Sequence, residues 1–265
     1  MFIRQLILAC TLLSLTACST VPITGRSQFN FIPGSSMLSM SLQQYDSFLK
    51  EHKISTNQEQ TLMVRRVGGK IQNAVERYFT ENGLSEHLAN YKWEFNLVED
   101  KQVNAWCMPG GKVVVYTGIL PVAKGEAGLA VVLGHEIAHA IAEHGNERMS
   151  QGLIAQMGGV ALSTALSTKT AETQQLWMSV YGVGAQYGAI LPYGRMQESE
   201  ADHLGLVFMA MAGYNPNEAV TFWERMAAQK GGQAPPEFLS THPSDSTRIA
   251  NIKNLIPEAM QQYKK

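Results

Sequence analysis

Glu126-Ala127-Gly128-Leu129-Ala130-Val131-Val132-Leu133-Gly134-His135-Glu136-Ile137-Ala138-His139 decides the reading of this chain. The apolar run up to Gly134 predicts a buried helix, running as one piece from Glu126 to about Met149. Residues four apart share a helix face, so His135 and His139 can offer their imidazoles to one Zn²⁺. Glu136 is turned about 100° from His135, which places its carboxylate beside the metal and not on it. There it can take a proton from a water at the open coordination position. With seven His and eighteen Glu in 265 residues, this five-residue pattern is expected by chance only ~0.01 times. A buried helix holding two histidines and a glutamate needs a partner for them, and one zinc per chain supplies it.

A catalytic zinc takes three protein ligands, so a third must lie elsewhere. Arg195-Met196-Gln197-Glu198-Ser199-Glu200-Ala201-Asp202 opens a helix in which Glu198 and Asp202 are four apart on one face. Glu198 is assigned to the metal, and Asp202 to the outer ring nitrogen of a ligand histidine, whose tautomer it fixes. Glu200, on another face, is the reserve ligand. His144, five residues past His139, is expected on the surface or in a local hydrogen bond, and His203 is expected to face away from Glu198. His242, held extended by Pro243, reads on its own as a loop histidine.

Around this centre the chain is an ordinary globular one. It is 45% hydrophobic and 16% charged with a net charge of −1, which excludes a disordered chain and a basic nucleic-acid binder. Met1 to Ala17 read as a secretory signal: one charge, Arg4, then a short apolar run ending Leu15-Thr16-Ala17-Cys18, which resembles the bacterial lipoprotein processing box. Cys18 is therefore expected to carry lipid, and Ser19 after it favours the outer membrane. Without Arg4, 20 basic against 22 acidic residues leave −2, so the lipid and not a basic patch holds the membrane. Residues 18–35 form a tether and 36–265 a single domain. Helices are predicted over Ser36 to His52 and Asn57 to Glu81, and strands over Trp93 to Val98, Val103 to Cys107 and Lys112 to Thr117. No charge occurs between Arg148 and Lys169 or between Glu172 and Arg195; buried helices or a flap over a cleft are preferred there to a membrane-spanning pair. Asn215-Pro216-Asn217-Glu218 and Ser244 are read as helix starts.

The landmarks taken together resemble a family. Asn104-Ala105-Trp106, Pro109-Gly110-Gly111, the His-Glu-x-x-His helix, Glu198-Ser199-Glu200-Ala201-Asp202 and Thr241-His242-Pro243 with Arg248 are similar to those of the HtpX, LoiP, BepA and Oma type of zinc metallopeptidases, metallopeptidase family forty-eight. The resemblance implies an α+β, mainly helical, zincin-like fold with a small sheet beside the active-site helix. It implies that an extended substrate pairs with the strand edge at Val103, Asn104, Ala105 and Trp106. It also implies that His242 ligates zinc at rest or stabilises the oxyanion when displaced, with Arg248 in support. The chain stops about twenty residues after Thr241-His242-Pro243, so the helical-repeat domain of some relatives is not expected.

The expected function is a zinc endopeptidase, lipid-anchored at the periplasmic side of the outer membrane of a Gram-negative bacterium. Its expected substrates are unfolded or misfolded envelope proteins, and outer-membrane assembly factors are expected partners. The alternatives are a chaperone-like assembly factor whose zinc site is closed by His242, and an integral membrane protease spanning at Gly152 to Tyr193.

Overall fold

The computed structural model describes residues 18–229, 237–242 and 246–263. Residues 1–17, read as a secretory signal, and the expected landmarks Pro243 and Ser244 lie outside them. By contacts the chain divides into two compact units, residues 18–37 with 143–197, and residues 38–142 with 198–263.

The second unit carries the sheet and the buried helix. It holds most of α1 (Gly34–Glu51), then α2 (Gln58–Glu81), β3 (Glu94–Val98), β4 (Ala105–Met108), β5 (Lys112–Tyr116), the single turn α3 (Leu120–Ala123) and α4 (Glu126–Ile141). Asn57, read as the first residue of the helix, caps α2: its Oδ1 accepts from Gln60 N at 3.0 Å. The sheet order is β3-β5-β4, with β3 parallel and β4 antiparallel to β5. All five residues of β5 are buried, as a central strand requires, and β4 is left as an edge. Gly110 and Gly111 turn the chain between β4 and β5 with φ of 85° and 80°, a region that glycine enters without steric cost. Mid-helix Gly68, which weakens α2 by propensity, lies against the Phe95 ring where a Cβ would collide. Trp106 stands edge-on to Phe48 and Tyr45 and closes one side of the sheet.

The predicted single helix from Glu126 to Met149 is two. After α4 the chain breaks at Ala142–Glu143, Glu143 taking a left-handed φ of 53°, and α5 (His144–Ala165) restarts in the first unit. Neither glycine nor proline marks the break, so periodicity ran through it. α7 (Leu191–Met211) carries the acidic segment. It is followed by α8 (Glu218–Ala228), α9 (Glu237–Thr241) and α10 (Ser246–Gln262). Asn217 caps α8 without a side-chain bond; instead Asn215 Oδ1 accepts from Asn217 N. Pro216 precedes the helix and does not open it.

The first unit begins with a hairpin, β1 (Cys18–Thr20) against β2 (Ser27–Phe29), in the segment expected to be a tether. Arg26 makes two 2.9 Å bonds to Glu147, whose side chain is 1% exposed, and Gln197 donates to Glu147 Oε2 at 2.7 Å. His144, expected on the surface or in a local hydrogen bond, is fully buried. The charge-poor region is α5, α6 (Ala171–Ala185) and a π-helical turn leading into α7. Tyr181 donates to Ala155 O at 2.7 Å across α5 and α6. Much of their apolar surface faces outward, contrary to the first of the two expectations, buried helices or a flap. Among the described residues no helix is long and apolar enough to cross a membrane, which removes the spanning-pair reading.

Candidate metal centre

Helix α4 buries fourteen of its sixteen residues, so His135, Glu136 and His139 enter the interior because their neighbours demand it. Two glycines bring α7 up to them. A Cβ on Gly134 would lie 2.8 Å from Gly205 O, and one on Gly205 would lie 2.8 Å from His135 N. The helices therefore touch backbone to backbone at the residue that starts the motif.

This approach gathers four ligand-type side chains. Nitrogen or oxygen atoms of His135, His139, Glu198 and His242 all lie within 4.8 Å of one another. His135 Nε2 is 3.1 Å from His139 Nε2 and 3.0 Å from His242 Nδ1. Glu198 Oε2 is 3.3 Å from His135 Nε2 and 2.7 Å from His242 Nδ1, and its Oε1 is 3.3 Å from His139 Nε2. With zinc–ligand bonds of ~2.0–2.1 Å, the edge of a tetrahedron is ~3.3 Å, so the spacing and the nitrogen–oxygen donor set both fit zinc. Burial alone would raise the Glu198 carboxyl, but the three imidazoles outweigh it and hold the group ionised, well below the usual carboxylate range.

Behind the cluster, Asp202 Oδ1 lies 3.0 Å from His135 Nδ1. That contact leaves Nε2 as the ring nitrogen directed at Glu198 and His242. Arg248 clamps Asp202 with two bonds, Nε to Oδ2 at 2.8 Å and Nη2 to Oδ1 at 2.7 Å, and its guanidinium lies 3.5 Å over the Trp223 ring. Burial raises the Asp202 carboxyl, and Arg248 followed by His135 more than reverses this, so it stays ionised. Arg248 thus engages Asp202, with Nη1 also 3.4 Å from Glu198 Oε2.

Glu136 is 4% exposed, its Oε1 3.4 Å from His242 Nε2. His242 follows α9, where its backbone N–H donates to Phe238 O, and it packs on the Phe238 ring at 4.7 Å. Cys107 of β4 feels the Glu136 charge: burial first, and then that carboxylate, push its thiol well up.

The remaining sequence candidates divide. Ala105 and Trp106 lie in the edge strand β4, whereas Val103 and Asn104 precede it. Val103 O accepts from Phe238 N, and Asn104 O accepts from Tyr116 N. Glu200 is buried but outside the ligand cluster. His203 pairs with Glu258 on the surface. Trp223 and Phe238, stacked at 5.8 Å behind the cluster, escaped the sequence reading because aromatics in apolar helices look like any core residue. The glycines at 134 and 205 were visible only as breaks in apolar runs.

A mainly helical, zincin-like domain with a small sheet and a His–His–Glu–His cluster defines a metallopeptidase centre. The chain belongs to peptidase family M48, whose model matches residues 66–256. It is 36% identical over 246 residues to the mitochondrial metalloendopeptidase OMA1 of Schizosaccharomyces pombe, covering 90% of this chain and 66% of that one. With the protein of the same name from Saccharomyces cerevisiae it shares 29% over 262 residues, 96% of this chain and 73% of that one. With the beta-barrel assembly-enhancing protease of Yersinia pestis it shares 31% over 166 residues, 61% of this chain and 34% of that one. The chain thus spans from about a third to about three quarters of the length of these relatives.

Proposed function

We propose that this chain is a zinc-dependent endopeptidase, tethered by lipid on Cys18 to the periplasmic face of the outer membrane, that cleaves unfolded or misfolded envelope proteins. The observation that carries the peptidase reading is Glu136 buried directly beside the four-ligand cluster, a carboxylate that a purely structural zinc site would not need. His135, His139 and Glu198 would hold the ion, which when bound acidifies a water and polarises the scissile carbonyl. Glu136 takes a proton from the attacking water on a carboxylate oxygen and returns it to the leaving amide nitrogen. Asp202, fixed by Arg248, holds His135 in the ligating tautomer. The open edge of β4 would pair with an extended peptide by backbone hydrogen bonds, which is how unfolded chains would be selected. The lipoprotein-like sequence ending in Cys18 supports the envelope location, and the similarity to the beta-barrel assembly-enhancing protease of Yersinia pestis supports an outer-membrane assembly partner.

Purified mature chain and its Glu136→Gln form, assayed for zinc content and casein cleavage, test this reading. Zinc in both with cleavage only by the unmodified chain is expected; equal cleavage by Glu136→Gln overturns it.

A second reading, a chaperone-like assembly factor with a latent site, is favoured by one observation. His242 Nδ1 sits 2.7 Å from Glu198 Oε2 and 3.0 Å from His135 Nε2, where a fourth ligand would close the coordination shell. His242→Ala separates the roles: cleavage rises where the imidazole only blocks and falls where it assists the oxyanion.

A further inference from the structure

Large exposed apolar side chains are concentrated on α5 and α6. On α5, Leu153, Met157 and Val160 are exposed, and on α6, Leu176, Val180 and Val183 are exposed. Each set follows helical spacing, so each is one continuous stripe on its helix. The helices pack on each other on another side, where Tyr181 bonds Ala155 O. The stripes therefore face away from the hairpin's own contact. Their flanks are unusual for a protein-docking face. No Asp, Glu, Lys or Arg stands between Arg148 and Lys169 or between Glu172 and Arg195, whereas helix-docking stripes in water are normally bordered by charges. A charge-free border of Ser, Thr, Gln and Gly suits a surface that penalises every charge.

The position of Cys18 points to the same occupant. Asn30 Nδ2 donates both to Ser19 Oγ at 3.2 Å and to Glu143 Oε2 at 2.6 Å. Residue 19 adjoins the expected lipid-bearing residue, and residue 143 immediately precedes α5. Phe31 N donates to Ser150 Oγ and Asn146 Nδ2 to Ile32 O, fixing the N-terminal segment to the first turns of α5. A lipid on Cys18 would thus enter the bilayer at the base of a helix ~33 Å long.

We infer that the α5–α6 hairpin is a membrane-contacting element that lies in the interfacial layer of the phospholipid bilayer holding the Cys18 lipid. It does not span that bilayer. The inference rests on Cys18 as the anchoring residue and adds a second, protein-borne point of attachment beside its lipid. The hairpin has no basic residues along its stripes, so its binding is driven by apolar contact and is insensitive to anionic lipid.

The test uses the mature chain beginning at residue 18 with Cys18→Ser, so that no lipid contributes. Mixed with extruded vesicles of phosphatidylethanolamine and phosphatidylglycerol, it should co-sediment. Emission from Trp177, 51% exposed on α6, should shift to the blue, and Trp177→Phe should remove that shift. Raising the phosphatidylglycerol fraction should leave binding unchanged. Val180→Glu with Met157→Glu, at positions too exposed to disturb folding, should weaken partitioning at least about tenfold. Vesicle binding that these substitutions leave intact, or no binding by the Cys18→Ser chain, overturns the inference. So does a dimer in vesicle-free buffer that Val180→Glu dissociates, which would assign the stripes to a second copy. Metabolic labelling of the unmodified chain with palmitate tests the anchor separately: no label at Cys18, with vesicle binding retained, sinks the anchor reading and leaves the hairpin standing.

Discussion

Replacing Gly205 by alanine probes how closely the two ligand-bearing helices must approach. By intrinsic propensity the change should help, since glycine inside a helix costs ~1 kcal/mol relative to alanine. Geometry opposes it. The new methyl would stand 2.8 Å from His135 N, where ordinary contact begins at 3.4 Å. Both groups are tied to helix backbone, so the helices must separate by about 0.6 Å, several times the ~0.2 Å latitude of a metal–ligand distance. Overpacking of this kind costs ~1–3 kcal/mol, so the net effect is a loss of about 1 kcal/mol in stability. Zinc affinity should fall further, by about tenfold or more, because Glu198 and Asp202 retreat from His135 and His139 together. Chelator competition measures the affinity and thermal unfolding measures the stability. Gly69→Ala in α2 is the control: nothing lies within 4 Å of the point its new methyl would occupy, so propensity alone should act and raise stability. A Gly205→Ala chain with a raised Tm and unchanged zinc affinity would refute the reasoning.

Arg26→Ala should destabilise the chain by about 3 kcal/mol at neutral pH, because it leaves the buried Glu147 carboxylate without its paired cation; equilibrium denaturation reads this directly. Burial raises the Glu147 carboxyl, but Arg26, Gln197 and the nearby His144 together bring it below its ordinary value. Stability from such a group is present above the unfolded pKa of ~4.3 and is lost as pH falls through the lower folded value. The gap between wild type and Arg26→Ala should therefore close in acid; a gap that persists to pH 2 contradicts the assignment. Stripping zinc with a chelator should lower the Tm by an amount equivalent to ~4 kcal/mol at a thousandfold excess of metal over Kd. Glu136→Gln should show the same drop in calorimetry, since Glu136 stands beside the ligand set and not in it.

The parts of this molecule readable from sequence are those whose signals are local. His135 and His139 share a helix turn, Asn57 caps the helix it precedes, and Lys112 to Tyr116 is a strand with glycines at its entrance. What escaped depends on partners far along the chain. The break at Glu143 is stabilised by Asn30, 113 residues away, and His144 became buried because the break redirected it. Arg26 looked like part of a tether because Glu147 is 121 residues distant. Exposure of the α5–α6 stripes is likewise a tertiary fact: an apolar run reads the same whether it meets a core or faces outward.

The spread of the ligands along the chain has a consequence for when the centre can be made. His135 and His139 are paired as soon as one turn of helix forms. Glu198 and His242 are separated by 44 residues, and His135 and His242 by 107. While the chain is unfolded, only a two-histidine half-site can exist, short of the three protein ligands that a catalytic zinc takes. The pocket becomes complete after residue 242 has arrived and α7 has docked at its glycine. Completion of the ligand set is thus tied to folding of the chain from α4 to the end of α9 and cannot precede it.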